Sequence, residues 1–354
     1  MNPDFDAKVA EFKQLVLKAF YQDVHRIVEN NYDADRFSYD GVDRSKELQI
    51  GLHSFYMDWF ITHGAEIYKT FLCLGDQESR VLYIDLLRYR LAGHMHVVIK
   101  SSVPQLLPQA KEFAARFKGE KSALTSQGMF GGLYLYDVEW EGRHYTVDTI
   151  RNALIPTLVY KQYFFSRNGV SVMPEAGDHV IDGGACTGDT AIIFSKVVGE
   201  NGAVYAFDPV QSHIDICKHN FARAGYENIR LFESGLSDKS VQAPPISLDV
   251  YAPGFNGAGM EMPLCTIDDL VSQGKIEKID FLKLDVEGAE MSTLRGAIAS
   301  IKRFRPKMAI SIYHKPNDLF EICNFLFDQQ LGYHFYLDHH TIHGEETVLY
   351  CKPV

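Results

Sequence analysis

The sequence has few cysteines, no excess of positive charge and no long apolar run, and each shortage removes a class of function. The six cysteines, Cys73, Cys186, Cys217, Cys265, Cys323 and Cys351, are scattered without a C-x-x-C pair. Neither a zinc knuckle nor a disulfide framework is expected. The formal charge is −11, so a surface that tracks nucleic-acid phosphates, and with it a nucleic-acid partner, is not expected. No apolar stretch is long enough to span a bilayer. The opening residues, Met-Asn-Pro-Asp-Phe-Asp, are acidic and lack the basic start and apolar run of a signal peptide. A reducing, cytoplasmic setting follows as the expectation. Internal repeats and low-complexity tracts are also missing.

What is present is enough for well-filled cores: 354 residues, 46% of them apolar. A chain this long is expected to form two domains, a mainly helical one over 1–160 and an α/β one over 161–354. Apolar residues recur at three- and four-residue steps from Ala7 to Val28, and further helical runs span Leu48 to Leu74 and Glu78 to Leu91. Their aromatics, and the lone His53 and His63, read as core. His96 to Lys100 reads as a short strand and Gln105 to Lys118 as a helix. Gly131 to Ile150 alternates about Glu141-Gly142, the pattern of a hairpin.

The most informative stretch runs from Val180 to Pro209. An apolar run ends in Asp182-Gly-Gly-Ala-Cys-Thr-Gly-Asp-Thr190, a helical run follows, and a second apolar run ends on Asp208-Pro209. This is a strand–loop–helix–strand unit with a nucleotide site at its carboxyl edge. Glycines allow close approach to a ligand, and the helix start offers unbonded N–H groups. Asp208, about twenty residues past Gly188, stands at the spacing of a ribose-binding acid. Two registers compete. Gly183, Ala185 and Gly188 fit a dinucleotide fingerprint only with alanine in second place. Asp182, Gly184 and Gly188 fit Asp-x-Gly-x-x-x-Gly, in which Asp182 would repel a pyrophosphate but suit the amino end of a methionine.

The second half alternates strands (His179–Asp182, Ala203–Asp208, Ile229–Glu233, Asp280–Asp285, Lys307–Ile312) with helices (Thr190–Val198, Gln211–Ala224, Ile267–Ser272, Ala289–Ile301, Leu319–Gln330). The last strands, Tyr333–Asp338 and Glu346–Lys352, have no helix between them. The fold class is therefore α/β: a doubly wound, seven-stranded Rossmann-like sheet closed by an antiparallel C-terminal hairpin and preceded by a mainly helical region. On these residues the chain resembles the FkbM-type S-adenosylmethionine-dependent methyltransferases. The matching pieces are the Val180–Thr190 loop, Ala206-Phe-Asp-Pro209, Thr266-Ile-Asp-Asp-Leu270, Asp280-Phe-Leu-Lys-Leu-Asp-Val-Glu-Gly-Ala-Glu290 and the ending from Ile310. The likeness covers about Tyr163 to the C-terminus. Asp208 departs from the family's more usual glutamate. The resemblance implies S-adenosyl-L-methionine as cofactor and O-methylation of a hydroxyl on a glycan or small natural product. An NAD-dependent oxidoreductase and a non-catalytic cofactor-binding scaffold are the alternatives.

Methyl transfer from a sulfonium is a one-step displacement that needs alignment and a proton acceptor, and no metal is assigned. The cofactor is expected to meet Asp182, Gly183, Gly184, Ala185, Gly188, Asp189 and Thr190, then Asp208 and Pro209 at the ribose, then Ser234, Gly235 and Leu236 beside the adenine. The expected catalytic residues are Lys283, Asp285, Glu287 and His314. Lys283 and Asp285 lie two apart on one strand and so share a face, where Asp285 would pair with the lysine. Glu287 and Glu290 flank Gly288 at the next helix start and would act at the site or cap that helix. His314 ends a neighbouring strand and is expected as a general base at neutral pH. As an alternative, His314 with Asp285, Glu287 and His339 or His340 would ligate a divalent metal. The partner is a small-molecule or glycan acceptor. Self-association is left open.

Overall fold

The computed structural model describes residues 3–29, 31–32, 50–124, 132–225, 227–244 and 262–354. Leu48 and Gly131, the starts of two expected elements, lie outside that set. The helical first part comprises α1 (Pro3–Asp23), α2 (Ile50–Thr62), α3 (Gly64–Cys73), α4 (Gln77–Ala92) and α5 (Val103–Arg116). β1 (Glu120–Lys121), β2 (Leu133–Trp140) and β3 (Arg143–Ile150) form a three-stranded antiparallel sheet. β2 and β3 turn at Glu141-Gly142, where both residues have positive φ, 49° and 74°, as a tight hairpin turn requires. A π-helical turn over Ile155–Val159 and a small hairpin of β4 (Phe165–Arg167) and β5 (Val170–Val172) lead into the main sheet.

That sheet alternates β6 (His179–Gly183), α6 (Asp189–Val198), β7 (Ala203–Phe207), α7 (Gln211–Ala224) and β8 (Ile229–Phe232). A short parallel pair follows, β9 (Gly235–Leu236) with β10 (Leu264–Cys265). Then come α8 (Ile267–Ser272), β11 (Phe281–Leu284), α9 (Glu290–Arg295), α10 (Ile298–Phe304), β12 (Lys307–Ser311), α11 (Asp318–Asp328), β13 (Tyr333–His339) and β14 (Thr347–Pro353). The seven strands lie in the order β13-β14-β12-β11-β6-β7-β8. β14 is antiparallel to both β12 and β13, and the other pairings are parallel. The order reverses between β6 and β11, where α/β sheets open a ligand crevice beyond their carboxyl ends.

Both faces of the sheet are covered, which the continuous apolar strands require. Ile181, Tyr205, Leu282, Leu284 and Ile310 point into one core, which also holds Phe12, Val16, Trp59, Phe60 and Tyr83 of the N-terminal helices. Their neighbours Val180, Val204, Phe281 and Ala309 point to the opposite core, shared with α6 and with Tyr136, Val138, Tyr145 and Val147 of the β2–β3 hairpin.

Three expected elements are corrected. The single run expected to end at Leu74 is two helices, parted at His63. His96–Lys100 forms no strand: the amides of His96 and Val97 both turn back to the Gly93 carbonyl, and the Val97 carbonyl accepts from the Asn31 side chain. The helix expected over Ala289–Ile301 breaks at Gly296, whose missing Cβ would lie 2.0 Å from the Ser237 carbonyl. The helix start after the break is capped by Asp268, which accepts from the amides of Ala299 and Ser300.

Candidate active site

The loop after β6 is built from left-handed residues. Gly184, Cys186 and Gly188 have φ of 80°, 50° and 81°. Gly184 is held to glycine by contact as well, since a Cβ would stand 1.9 Å from the Asp285 carbonyl. The β6 loop thus interlocks with the loop leaving β11. The amides of Gly184 and Ala185 both donate to the Phe207 carbonyl, and Gly188 N–H donates to Ala185. Gly183 packs under Leu236 and Leu284, and Leu236 is 3% exposed, a core side chain. Ser234 is part-buried, and Gly235 abuts Pro209 across the mouth of β7.

Acidic groups ring this loop. Asp208 is 5% exposed. It accepts from Cys186 N–H and Val210 N–H at 2.9 Å and lies 3.1 Å from His213 Nδ1. A carboxylate offers about four acceptor sites, so capacity for one further donor is left. Asp189 takes a hydrogen bond from Thr187, and burial pushes its carboxyl up to about 6. Asp182 is wholly buried and accepts from Thr190 Oγ1 at 2.7 Å.

Lys283 pairs with Asp182, not with Asp285 as the strand spacing suggested. Its Nζ lies 2.9 Å from Asp182 Oδ1 and donates to the carbonyls of Gly183 and Gly184 at 2.9 and 2.8 Å. The alternation is right: β11 and β6 are adjacent and Lys283 stands directly opposite Asp182. The cross-strand neighbour therefore wins over the residue two along the strand. Burial opposes the ammonium charge, but Asp182 and Asp285 outweigh it and raise the Lys283 pKa. The lysine ties the loop to the sheet and is 2% exposed.

Asp285 is free for other partners. Tyr163 donates to its Oδ2 at 2.8 Å and Tyr313 to its Oδ1 at 3.2 Å. Burial raises its pKa, but the charges of His314 and Lys283 outweigh burial and hold it below the usual carboxylate range. His314 sits at the centre of three carboxylates. Its Nδ1 is 2.9 Å from Glu290, and its Nε2 is 3.5 Å from Asp285 and 3.6 Å from Glu287. Burial disfavours the imidazolium, yet these carboxylates, Glu290 foremost, push its pKa up to about 10. At neutral pH the ring therefore carries its proton and has no lone pair to act as a base. Glu287 has φ of 54° and is followed by Gly288 at 93°, so this loop too carries a left-handed non-glycine residue, a local strain of order 1–2 kcal/mol. Glu290 caps no helix end. It reaches back to Val286 N–H at 2.8 Å.

His339 and His340 stand apart from this group. Their ring nitrogens meet Thr347 Oγ1 and Tyr350 Oη, both at 2.9 Å, and burial lowers both pKa values, that of His339 to about 3. The residues that sequence reasoning did not single out are Tyr313, Thr187 and Asn220. Tyr313 had a signal, being next to His314 beyond the same strand. Asn220 had none: it lies on α7, accepts from Asp148 N–H of β3 and donates to the carbonyls of Asp148 and Thr187. Thr187 is also 2.7 Å from Thr149 Oγ1. Together they fasten the β2–β3 hairpin to the β6 loop.

Residues 182–335 match the family model of the methyltransferase FkbM domain. Among solved structures, methyltransferase FkbM from Methylobacillus flagellatus KT is 18% identical with a TM-score of 0.54, over 83% of this chain and 60% of that chain. A SAM-dependent methyltransferase from Aquifex aeolicus is 18% identical with a TM-score of 0.34, over 56% of this chain and 89% of that one. Fibrillarin from Aeropyrum pernix, with natively bound S-adenosyl-L-methionine, is 13% identical with a TM-score of 0.34, over 66% and 100%. The first likeness speaks for the fold alone, and the other two are too distant to carry an argument. No curated protein matches the chain.

Proposed function

We infer, from a chain whose residues 182–335 match the family model of the methyltransferase FkbM domain, that the protein moves a methyl group from S-adenosyl-L-methionine to a hydroxyl of a glycan or small natural product. The observation that carries this reading is the meeting of two loops at the sheet's reversal point. The β6 loop brings Asp189 and the β7 strand end brings Asp208, while the interlocked β11 loop brings Asp285 and Glu287. Asp208 suits the ribose of either cofactor, but Asp189 stands in the first turn of α6, where a dinucleotide would place its pyrophosphate, and would repel it, which disfavours a nicotinamide dinucleotide.

S-adenosyl-L-methionine, when bound, supplies a methyl on a positively charged sulfur. The chain's part is to orient and to hold protons. Asp208 has one acceptor site left for a ribose hydroxyl, and glycine at 184 and 188 lets the loop lie against the Asp285 carbonyl and the Phe221 ring. Lys283, Asp182 and Thr190 fix that turn from beneath and touch neither ligand. Asp285, aligned by Tyr163 and Tyr313, receives the acceptor hydroxyl, and Asp285 or Glu287 takes its proton. His314 supplies a fixed positive charge that keeps Asp285 ionised.

Calorimetry with S-adenosylhomocysteine tests the cofactor half. The intact chain should bind it, and Asp208→Ala should weaken binding by about 1.5–3 kcal/mol, the worth of a hydrogen bond to a charged acceptor. Unchanged affinity in a folded Asp208→Ala protein removes Asp208 from the site, and no binding by the wild type sinks the reading. A radiolabelled methyl-transfer screen across sugars, nucleotide sugars and polyketides then tests the acceptor class. Transfer only to nitrogen acceptors would overturn O-methylation.

A further inference from the structure

The carboxylates around His314 outnumber the charge they surround. Asp285, Glu287 and Glu290 converge on one imidazole. Glu290 is wholly buried, and its Oε2 has no hydrogen-bond partner. The His314 side chain is 3% exposed, with Nδ1 2.9 Å from Glu290 and Nε2 3.5 and 3.6 Å from Asp285 and Glu287, so three carboxylates share one imidazolium. An unsatisfied buried carboxylate oxygen is costly to maintain. A cation that displaces the His314 proton and accepts lone pairs from the carboxylates and the freed ring nitrogen would remove that cost.

We propose that Asp285, Glu290 and His314 form a site for one divalent metal ion, open toward the acceptor crevice. One donor atom from each lies within 4.8 Å of the other two. Donors on opposite sides of an octahedral ion with bonds of about 2.1 Å stand about 4.2 Å apart, so small side-chain rotations close the set. Two carboxylates with a single imidazole suit a hard ion that tolerates one nitrogen, and Mn²⁺ fits that mixture. Three protein ligands leave positions for two oxygens of one acceptor, such as a vicinal diol or a hydroxyl beside a carbonyl. The ion would take the place of the proton on His314, and it would acidify the bound hydroxyl so that a weak carboxylate base suffices. His339 and His340 take no part, since their rings are engaged with Thr347 and Tyr350.

What the ion does rests on the transferase reading, but its binding is measured independently. The chelator-treated full chain is titrated with Mn²⁺, and the electron-paramagnetic signal of free Mn²⁺ is followed. One ion per chain is expected. Asp285→Asn and Glu290→Gln should each weaken binding at least ~10-fold, the scale of losing part of a coordination shell. Glu290 also holds the Val286 amide, so its variant is checked for folding by near-ultraviolet dichroism; Asp285→Asn retains an oxygen for Tyr163 and carries the test if Glu290→Gln unfolds. Failure of the folded wild type to bind stoichiometrically, or equal binding by wild type and Asp285→Asn, overturns the site. S-adenosylhomocysteine binding is measured on the same sample. Cofactor bound without Mn²⁺ overturns the metal site alone, while Mn²⁺ bound without cofactor overturns the transferase reading and leaves the metal site standing.

Discussion

Lys283 is the residue on which the crevice is assembled. It is buried, and it satisfies a buried Asp182 and the carbonyls of Gly183 and Gly184 at once. Removing one partner of a buried ion pair strands the other in low dielectric, which typically costs about 3–5 kcal/mol. Lys283→Met should therefore destabilise the fold by that order in urea unfolding, with cofactor affinity falling too as the loop loses its tie. A variant of wild-type stability would mean that Asp182 finds another partner. Asp285→Asn keeps an oxygen for Tyr163 and Tyr313 but loses the charge facing His314 and Lys283, so it should destabilise the fold, by less than Lys283→Met.

At the scale of elements, the interlock of two loops makes a demand on one atom. A Cβ at Gly184 would meet the Asp285 carbonyl at 1.9 Å, and the residue also has φ of 80°. Both the contact and the left-handed backbone penalise Gly184→Ala, and the variant should unfold at a markedly lower temperature while Gly199→Ala, strained in φ but with open space around its Cβ, loses less. A melting comparison of the two decides whether close approach or backbone conformation dominates. Much of this level was legible in the sequence. The strand over Lys307–Ser311, the helix over Ile267–Ser272 and the turn at Glu141-Gly142 all follow from periodicity and turn chemistry. The three-residue strands β4 and β5 were not, being too short to show an alternation. Nor was the break at Gly296, whose cause is a carbonyl 59 positions away in the chain. In the site, the composition of both loops was readable, whereas the pairing of Lys283 with Asp182 needed knowledge of which strands are neighbours.

Across the whole molecule, the folded state holds a proton on His314 that the unfolded chain releases near its ordinary value of 6.5. With the folded pKa at about 10, the contribution of His314 to stability is fully present below pH ~6.5, shrinks as pH rises above it and is gone above ~10. Melting temperatures measured between pH 6 and pH 10 should fall, and His314→Gln should flatten that decline. A wild-type curve as flat as the variant's would mean that the three carboxylates do not hold the proton.

The bonds from Asn220 and Thr187 to the β2–β3 hairpin bear on how modular this chain is. A chain cut to begin at residue 161 would keep every strand of the large sheet yet lose Asp148 and Thr149, which steady the loop after β6. Such a cut also strips Phe12, Trp59 and Tyr83 from one core and Tyr136 and Val147 from the other, so the fragment is expected to be much less stable than the full chain and to exchange the amide hydrogens of residues 184–189 faster. The hairpin then behaves less as a neighbouring module than as a part of the β6 loop, so a graft that moved the sheet into another protein would have to bring the hairpin with it.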